Sequence, residues 1–214
     1  FSQVYYRGAG SFFDATNIVQ GGELGAFIDA RESIVGGTIR DLDAFVATLS
    51  DEFNQEHRRG VGLVDGGQYD FFADLTGQAT VNDSAQNFGL STDIDPSNGG
   101  TLLNIAAGQR ADPNAPSPTD PAGQAGDTRW VSQLSGLRDM RVTNYLSGDV
   151  PGAATGESIS ISGSLINIVG EIGQRARTSN RQLEQQEAIL STVEARRDGI
   201  SGVSIDEEVA ELVK

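Results

Sequence analysis

Residues 161–199 read ISGSLINIVGEIGQRARTSNRQLEQQEAILSTVEARRDG, and the spacing of their apolar members decides the fold. Ile161, Leu165, Ile168, Ile172, Ala176, Ser179, Leu183, Gln186, Leu190 and Val193 recur at steps of four and three. That repeat keeps one face of an α-helix turned toward a partner helix, as in a coiled coil. The consecutive four-residue steps from Ile168 to Ile172 to Ala176 are a stutter in the heptad. The other faces carry Arg175, Arg177, Arg181, Glu184, Glu187, Glu194 and Arg196, which are content in water. The spacing predicts one long helix with Leu165, Ile168, Ile172, Leu183 and Leu190 on its seam. Asp198-Gly199 is the expected stop, because glycine accepts the left-handed conformation that follows a helix.

A second helical period runs from Glu23 to Arg58, where Leu24, Phe27, Ile28, Ile34, Ile39, Leu42, Phe45, Val46, Leu49 and Phe53 share a face. Leu42, Phe45, Leu49 and Phe53 are its candidate core. Gly36 and Gly37 cost about 1 kcal/mol each relative to alanine inside a helix, so a kink or a two-piece helix is expected there. Gly60, Gly62 and the turn Asp65-Gly66-Gly67 end the element. Two long amphipathic helices separated by an insertion read as an antiparallel pair packed along their lengths. The fold class is therefore α+β: a long antiparallel helix rod, coiled-coil-like, with an inserted β-rich and loop-rich region.

The segments around these helices complete the plan. Residues 1–20, with Val4-Tyr5-Tyr6 and Phe12-Phe13 around Gly8 and Gly10, read as a strand or hairpin at the end of a preceding β element. Residues 21–60 form the first rod helix. Residues 61–126 form an irregular insertion with short apolar patches, within which Ala111 to Asp127 is proline-rich, poor in large apolar groups and expected to be an exposed, mobile loop. Residues 127–199 hold a short helix, about Thr128 to Leu146 with Trp130, Leu134 and Leu137 on one face, and then the second rod helix. In residues 200–214, Ser204 and Glu207 stand three apart as a capping box opening another helix.

Charge and composition remove several functional classes. The 214 residues carry 30 acidic against 15 basic side chains, a formal charge of -15, so nucleic acid and anionic membrane surfaces are disfavoured partners. Zero cysteines exclude disulfides, thiolate nucleophiles and cysteine-ligated zinc. No stretch approaches the roughly 18 apolar residues of a membrane span, and the start lacks a basic region followed by an apolar run. FSQVYYRGAG reads as the interior of a longer protein.

Three strings carry a likeness to a known family. GGELGAFIDARES (Gly21 to Ser33), DEFNQEHRRGVGLVDGGQYDFF (Asp51 to Phe72) and DGISGVSIDEEVAELVK (Asp198 to Lys214) resemble, in order, three segments of the flagellar hook-associated protein 1 family. The residues that match its motifs are Gly22, Leu24, Gly25, Asn54, His57, Gly60, Ser201, Gly202, Val203, Asp206, Glu207 and Glu208, with Ser204 where the family has asparagine. The resemblance implies a carboxyl-terminal rod fragment of a hook-filament junction subunit, without the amino-terminal helix and cut before the final assembly helix. It further implies lateral packing against sister subunits in a ring, contact with hook protein and the second hook-associated protein, and an extracellular location reached by type III export. The isolated fragment is expected to be monomeric. A secreted coiled-coil adhesin or interaction module is the alternative reading of the helices.

No catalytic, cofactor or metal site emerges. His57, the single histidine, sits at a helix end with no ligand partner at suitable spacing, and its expected role is structural. Asp93-x-Asp95-x-Ser97 opens like a calcium loop, but Asn98 and Asn104 stand where that loop needs glycine and a bidentate glutamate, so a turn is expected. Asp206, Glu207 and Glu208 are explained by the helix start they occupy. GAGSFF and DGGQYDFF lack the lysine of a phosphate loop. No nucleophile, base and orienting group assemble into an enzyme site.

Overall fold

The computed structural model describes residues 5–8, 11–14, 22–75 and 77–201. The chain divides into two compact units, Phe1–Gly170 and Glu171–Lys214. In the first, β1 (Tyr5–Gly8) pairs antiparallel with β2 (Ser11–Asp14), Tyr5 opposite Asp14 and Gly8 opposite Ser11. The Arg7 guanidinium lies 5.7 Å from the centre of the Phe12 ring across this hairpin. Next come α1 (Gly22–Asp29), a π-helical stretch Ala30–Val35, and α2 (Gly36–Arg59). The break expected at Gly36-Gly37 is thus present as a widened stretch immediately before them. Both glycines are buried and helical. The Ser33 hydroxyl within the stretch donates to the Asp29 carbonyl at 2.7 Å, and that of Thr38, in the first turn of α2, donates to the Ile34 carbonyl at 2.8 Å.

Around α2 the chain lays irregular loops and very short strands. β3 (Gly60–Val61) pairs with β4 (Gly108–Gln109), and β5 (Arg141–Thr143) pairs with β6 (Ser158–Ser160), both antiparallel. Between them α3 spans Arg129–Gly136, followed by a 3-10 turn at Leu137–Asp139. The helix expected to reach Leu146 is therefore shorter. The chain from Arg141 leaves it to pair with Ser158–Ser160, which supplies the backbone partners that a longer helix would have supplied.

Two apolar clusters flank α2. Ala44 and Ala47 meet Leu75, Val81 and Tyr145 on one side. On the other, Phe45, Leu49 and Phe53 pack with Leu134 against Leu137, Val142 and Ile161. Three of the four candidate core residues of the first helix are thus engaged, while Leu42 is 40% exposed. Their partners differ from the expected ones. β5 and the 3-10 turn place Leu137 and Val142 in the slot that a second long helix would have filled, and Ile161 is the only seam residue that joins them.

The second rod helix is present as α4 (Ile161–Ser201). Its seam residues are largely exposed. Leu165, Ile172, Leu183 and Leu190 are 45%, 43%, 58% and 58% exposed, Ile168 is half-buried, and Ile166 and Val169 are open as well. The second unit's described residues, 171–201, all belong to this helix. Gly199 is helical, so Asp198-Gly199 does not stop the element, which runs on to Ser201. The capping box Ser204–Glu207, and with it Gly202, Val203, Asp206 and Glu208, lies outside the described residues.

The proline-rich segment is largely exposed, as expected. Its backbone is fastened by polar contacts rather than by apolar burial. Arg110, whose side chain is 0% exposed, donates through Nη1 to the Gly66 and Ser117 carbonyls and to Asp120 Oδ2, and through Nη2 to the Gly67 carbonyl. Gly123 N–H donates to the Gly62 carbonyl at 2.7 Å. At Gly66 a Cβ would sit 2.0 Å from the Asp120 carbonyl oxygen, so the two loops touch backbone to backbone.

Candidate functional site

The densest constellation of polar side chains forms where α2 ends. Asn54, His57 and Arg58 stand at positions i, i+3 and i+4, hence on one face of its last two turns. Asn54 is buried and works as a backbone mimic. Its Oδ1 accepts from the amides of Phe71 and Phe72 at 3.0 and 2.9 Å, and its Nδ2 donates to the Phe72 carbonyl at 3.0 Å. Arg58 pairs with Asp70 twice, Nη2 to Oδ2 at 2.9 Å and Nε to Oδ1 at 2.5 Å. The Ser91 hydroxyl then donates to the Asp70 carbonyl. Together these contacts hold residues 69–72 against the helix.

His57, 1% exposed, joins two segments at once. Its Nδ1 lies 2.7 Å from the Tyr69 carbonyl and its Nε2 accepts from the Ala106 amide at 2.9 Å. A carbonyl only accepts and an amide N–H only donates, so the partners assign the neutral ring with its proton on Nδ1. Phe53 stacks on the imidazole at 6.3 Å and Phe71 meets it edge-on at 5.6 Å. Burial pushes the His57 pKa below its ordinary value and Arg58 adds to this, against the opposing pull of the Tyr69 carbonyl and Asp70.

One turn away, Trp130 closes the helix end. Its indole N–H donates to the Glu56 carbonyl at 2.9 Å, satisfying one of the acceptors that a helix terminus leaves unpaired. The ring fills the space beside Gly60, where an added Cβ would lie 2.2 Å from Cδ1.

Elsewhere the acidic candidates are occupied. Asp95 accepts from the Ser97 amide and hydroxyl at 2.9 and 2.7 Å and from Asn98 Nδ2 at 2.8 Å, and so caps the 3-10 turn Pro96–Asn98. These bonds hold its carboxyl below the usual range, the Ser97 hydroxyl most of all. No group of three His, Cys, Asp or Glu side chains able to hold a metal occurs among the described residues. A hollow of about 80 Å³ beside α2 is lined by Asp51, Asn54, Arg58, Leu75 and Tyr145.

The structure therefore brings together three of the motif residues, Asn54, His57 and Gly60. Gly22 opens α1 with φ of +67°, Leu24 lies in α1 and Gly25 is buried within it. Ser201 is the last residue of α4. Sequence reasoning missed Arg110 and Tyr145, whose importance depends on backbone groups far along the chain, and no local spacing marks them. Arg58 was within reach, since it stands beside His57 and twelve residues before Asp70.

Comparison with known proteins gives this hub a context. Residues 2–72 match the family model described as flagellar hook-associated protein FlgK helical domain, a span that runs from the hairpin through α2 and ends at Phe72, the residue clamped by Asn54. Over these residues the chain is similar to the flagellar hook-associated protein 1 family. A curated relative, flagellar hook-associated protein 1 of Bacillus subtilis (strain 168), is 26% identical over 178 residues. The alignment covers 82% of this chain and 30% of the relative, so the chain spans less than a third of that relative's length. No solved structure matches. Among the described residues no helix is long and apolar enough to cross a membrane.

Proposed function

We propose that the chain is a rod segment of a structural, non-enzymatic subunit of the bacterial flagellum, placed at the junction of hook and filament and packed laterally against sister subunits in a ring. The observation that carries the reading is the surplus of apolar surface on the helices of a chain similar to that family. Val35, Ile39 and Leu42 on the α2 side, and Leu165, Ile166, Val169, Ile172, Leu183, Ile189, Leu190 and Val193 on α4, all face solvent in the single chain. Contiguous apolar stripes of this kind mark surfaces that are covered in an assembly. Among them the heptad spacing of Leu165, Ile172, Leu183, Leu190 and Val193 fits a coiled-coil partner. The hub at the end of α2 fits a mechanical role, because its polar groups are consumed in tying loops to the helix. Hook protein on one side and the second hook-associated protein on the other are the proposed neighbours, outside the cell.

Charge sets the state of the isolated chain. A formal charge of -15 makes like chains repel, so residues 1–214 alone are proposed to be monomeric at micromolar concentration. Residues 1–214 contain no cysteine of their own to compete for the label. Val169→Cys and Leu183→Cys are introduced singly into the full-length subunit, and maleimide labelling is compared between secreted monomer and assembled flagella. The expected result is ready labelling of the monomer and protection in the assembly. Equal labelling in both, in cells that swim, overturns the reading.

A further inference from the structure

We propose that His57 is an acid-sensitive latch: its neutral ring joins the end of α2 to residues 69–72 and 105–107 simultaneously, and protonation releases the second of these while α2 stays folded. The geometry carries this. Nε2 is the acceptor for the Ala106 amide at 2.9 Å, and Nδ1 is committed to the Tyr69 carbonyl at 2.7 Å. Flipping the ring does not help, because it places the carbons Cδ2 and Cε1 where the two nitrogens stood and loses both bonds. A proton added at Nε2 sets two N–H donors against each other inside a site that is 1% exposed, and the bond to Ala106 is lost along with the favourable environment of the neutral ring.

The groups facing the ring leave little to stabilise the cation. From α2 come the Phe53 ring and the Arg58 guanidinium, which opposes protonation. Residues 69–72 bring the Phe71 ring and Asp70, whose carboxylate favours protonation but is already held by Arg58. Residues 105–107 are Ile-Ala-Ala and bring no ionisable side chain. Residues 69–72 have Asn54 and Arg58 as further ties, so they stay in place when the ring is protonated. Residues 105–107 are tied by His57 and by the Trp130 backbone amide, which donates to the Ala107 carbonyl at 3.1 Å, while the Leu63–Leu103 bond and the β3–β4 pairing hold the chain on either side, so the opening is local to them. The release is therefore one-sided.

The linkage has a definite sign. With the folded-state pKa lowered, the unfolded or opened chain binds the proton first, so the latch is closed above the ordinary histidine range and weakens as pH falls through and below it. Hydrogen exchange on the whole chain at about pH 7.5 and about pH 5, corrected for intrinsic rates, reads the opening. Protection at residues 105–107 is expected to drop about threefold or more relative to the middle of α2 in the unsubstituted chain. In His57→Gln, whose amide can donate to one segment and accept from the other without titrating, the drop is expected to vanish. An equal drop in both chains overturns the latch, and so does no drop in either. Should His57→Gln fail to fold, the ring and Ala106 amide signals of the unsubstituted chain decide by NMR. A shared midpoint below the ordinary histidine value is the expected result. A ring that protonates while the Ala106 amide stays protected, or that titrates at or above the ordinary value, overturns it. Neither readout depends on the flagellar reading.

Discussion

The Trp130 indole occupies the place of a missing side chain at Gly60: its nitrogen bonds the Glu56 carbonyl at 2.9 Å, and a Cβ on residue 60 would penetrate to 2.2 Å from its Cδ1. The backbone at Gly60 is extended, with φ of -86° and ψ of -174°, so glycine is required there by contact and not by conformation. Gly60→Ala must displace a buried ring and break its bond to the helix end. It is expected to destabilise the chain by about 1 to 3 kcal/mol in urea denaturation. Gly136→Ala is the matched control, because nothing lies within 4 Å of a Cβ at that helical position. It should be neutral or stabilising by up to about 1 kcal/mol. Equal effects would refute the close-contact explanation.

Asn54 supports three backbone hydrogen bonds from one side chain, and its removal leaves two amides and a carbonyl of residues 71–72 without their partner. Asn54→Ala is expected to cost about 2 kcal/mol or more, since unpaired buried polar groups bear their full desolvation penalty. Asn54→Asp keeps the acceptor but sets a carboxylate oxygen, which cannot donate, against the Phe72 carbonyl, so it should also destabilise. Loss of hydrogen-exchange protection confined to residues 69–72 is the accompanying signature. A uniform loss along α2 would count against a local clamp.

Helices were legible in the sequence because periodicity is a local property. The apolar steps from Leu42 to Phe53 and from Ile161 to Val193 announced α2 and α4, and both are there. What covers those faces was not legible, because the same three-four spacing serves an internal partner or an external one. Phe45, Leu49 and Phe53 proved to face Leu137, Val142 and Ile161, whereas Leu183 and Leu190 face solvent. Three-residue strands such as Arg141–Thr143 carry too few residues to display an alternation, which is why a helix was expected to run through them. Of the hub, Asn54, His57 and Gly60 stood out through the family-like string. Arg110 did not, as its bonds to Gly66, Gly67, Ser117 and Asp120 join backbone groups that no spacing rule connects.

The exposed seam makes a sharp contrast between two leucines. Leu183 is 58% exposed and Leu137 is 3% exposed, so truncating them must differ if the single chain is the folding unit. Leu137→Ala should cost about 2 to 5 kcal/mol through lost transfer energy and the cavity left behind. Leu183→Ala should stay within about 0.5 kcal/mol in the isolated chain. A large effect of Leu183→Ala on the monomer, measured below any association threshold, would place it in a core after all.

Tyr145 provides the alkaline counterpart to the acid behaviour of His57. Its hydroxyl donates to Asp51 Oδ2 at 2.7 Å and accepts from the Gly152 amide at 2.5 Å, while its own amide donates to the Thr48 hydroxyl at 3.0 Å. The residue thereby fastens the 145–152 loop to the middle of α2. Burial, reinforced by the neighbouring Asp51 carboxylate, pushes its pKa up to about 12. Ionisation of an unfolded tyrosine begins near pH 10, so below that value both states keep the proton and the contribution of this bond is whole. As pH rises from about 10 toward 12, the unfolded chain loses the proton first and stability falls. Tyr69 contributes in the same direction through its bond to Asp65, so Tyr69→Phe must be measured alongside. Tyr145→Phe is expected to lower stability by about 1 to 2 kcal/mol at neutral pH, having left Asp51 and the Gly152 amide without their partner. It should also flatten the decline between pH 9 and 11 seen in the parent, as followed by urea midpoints. If the decline keeps its full slope in Tyr145→Phe and disappears in Tyr69→Phe, the alkaline sensitivity belongs to the exposed Tyr69–Asp65 pair, and Tyr145 is held by packing alone.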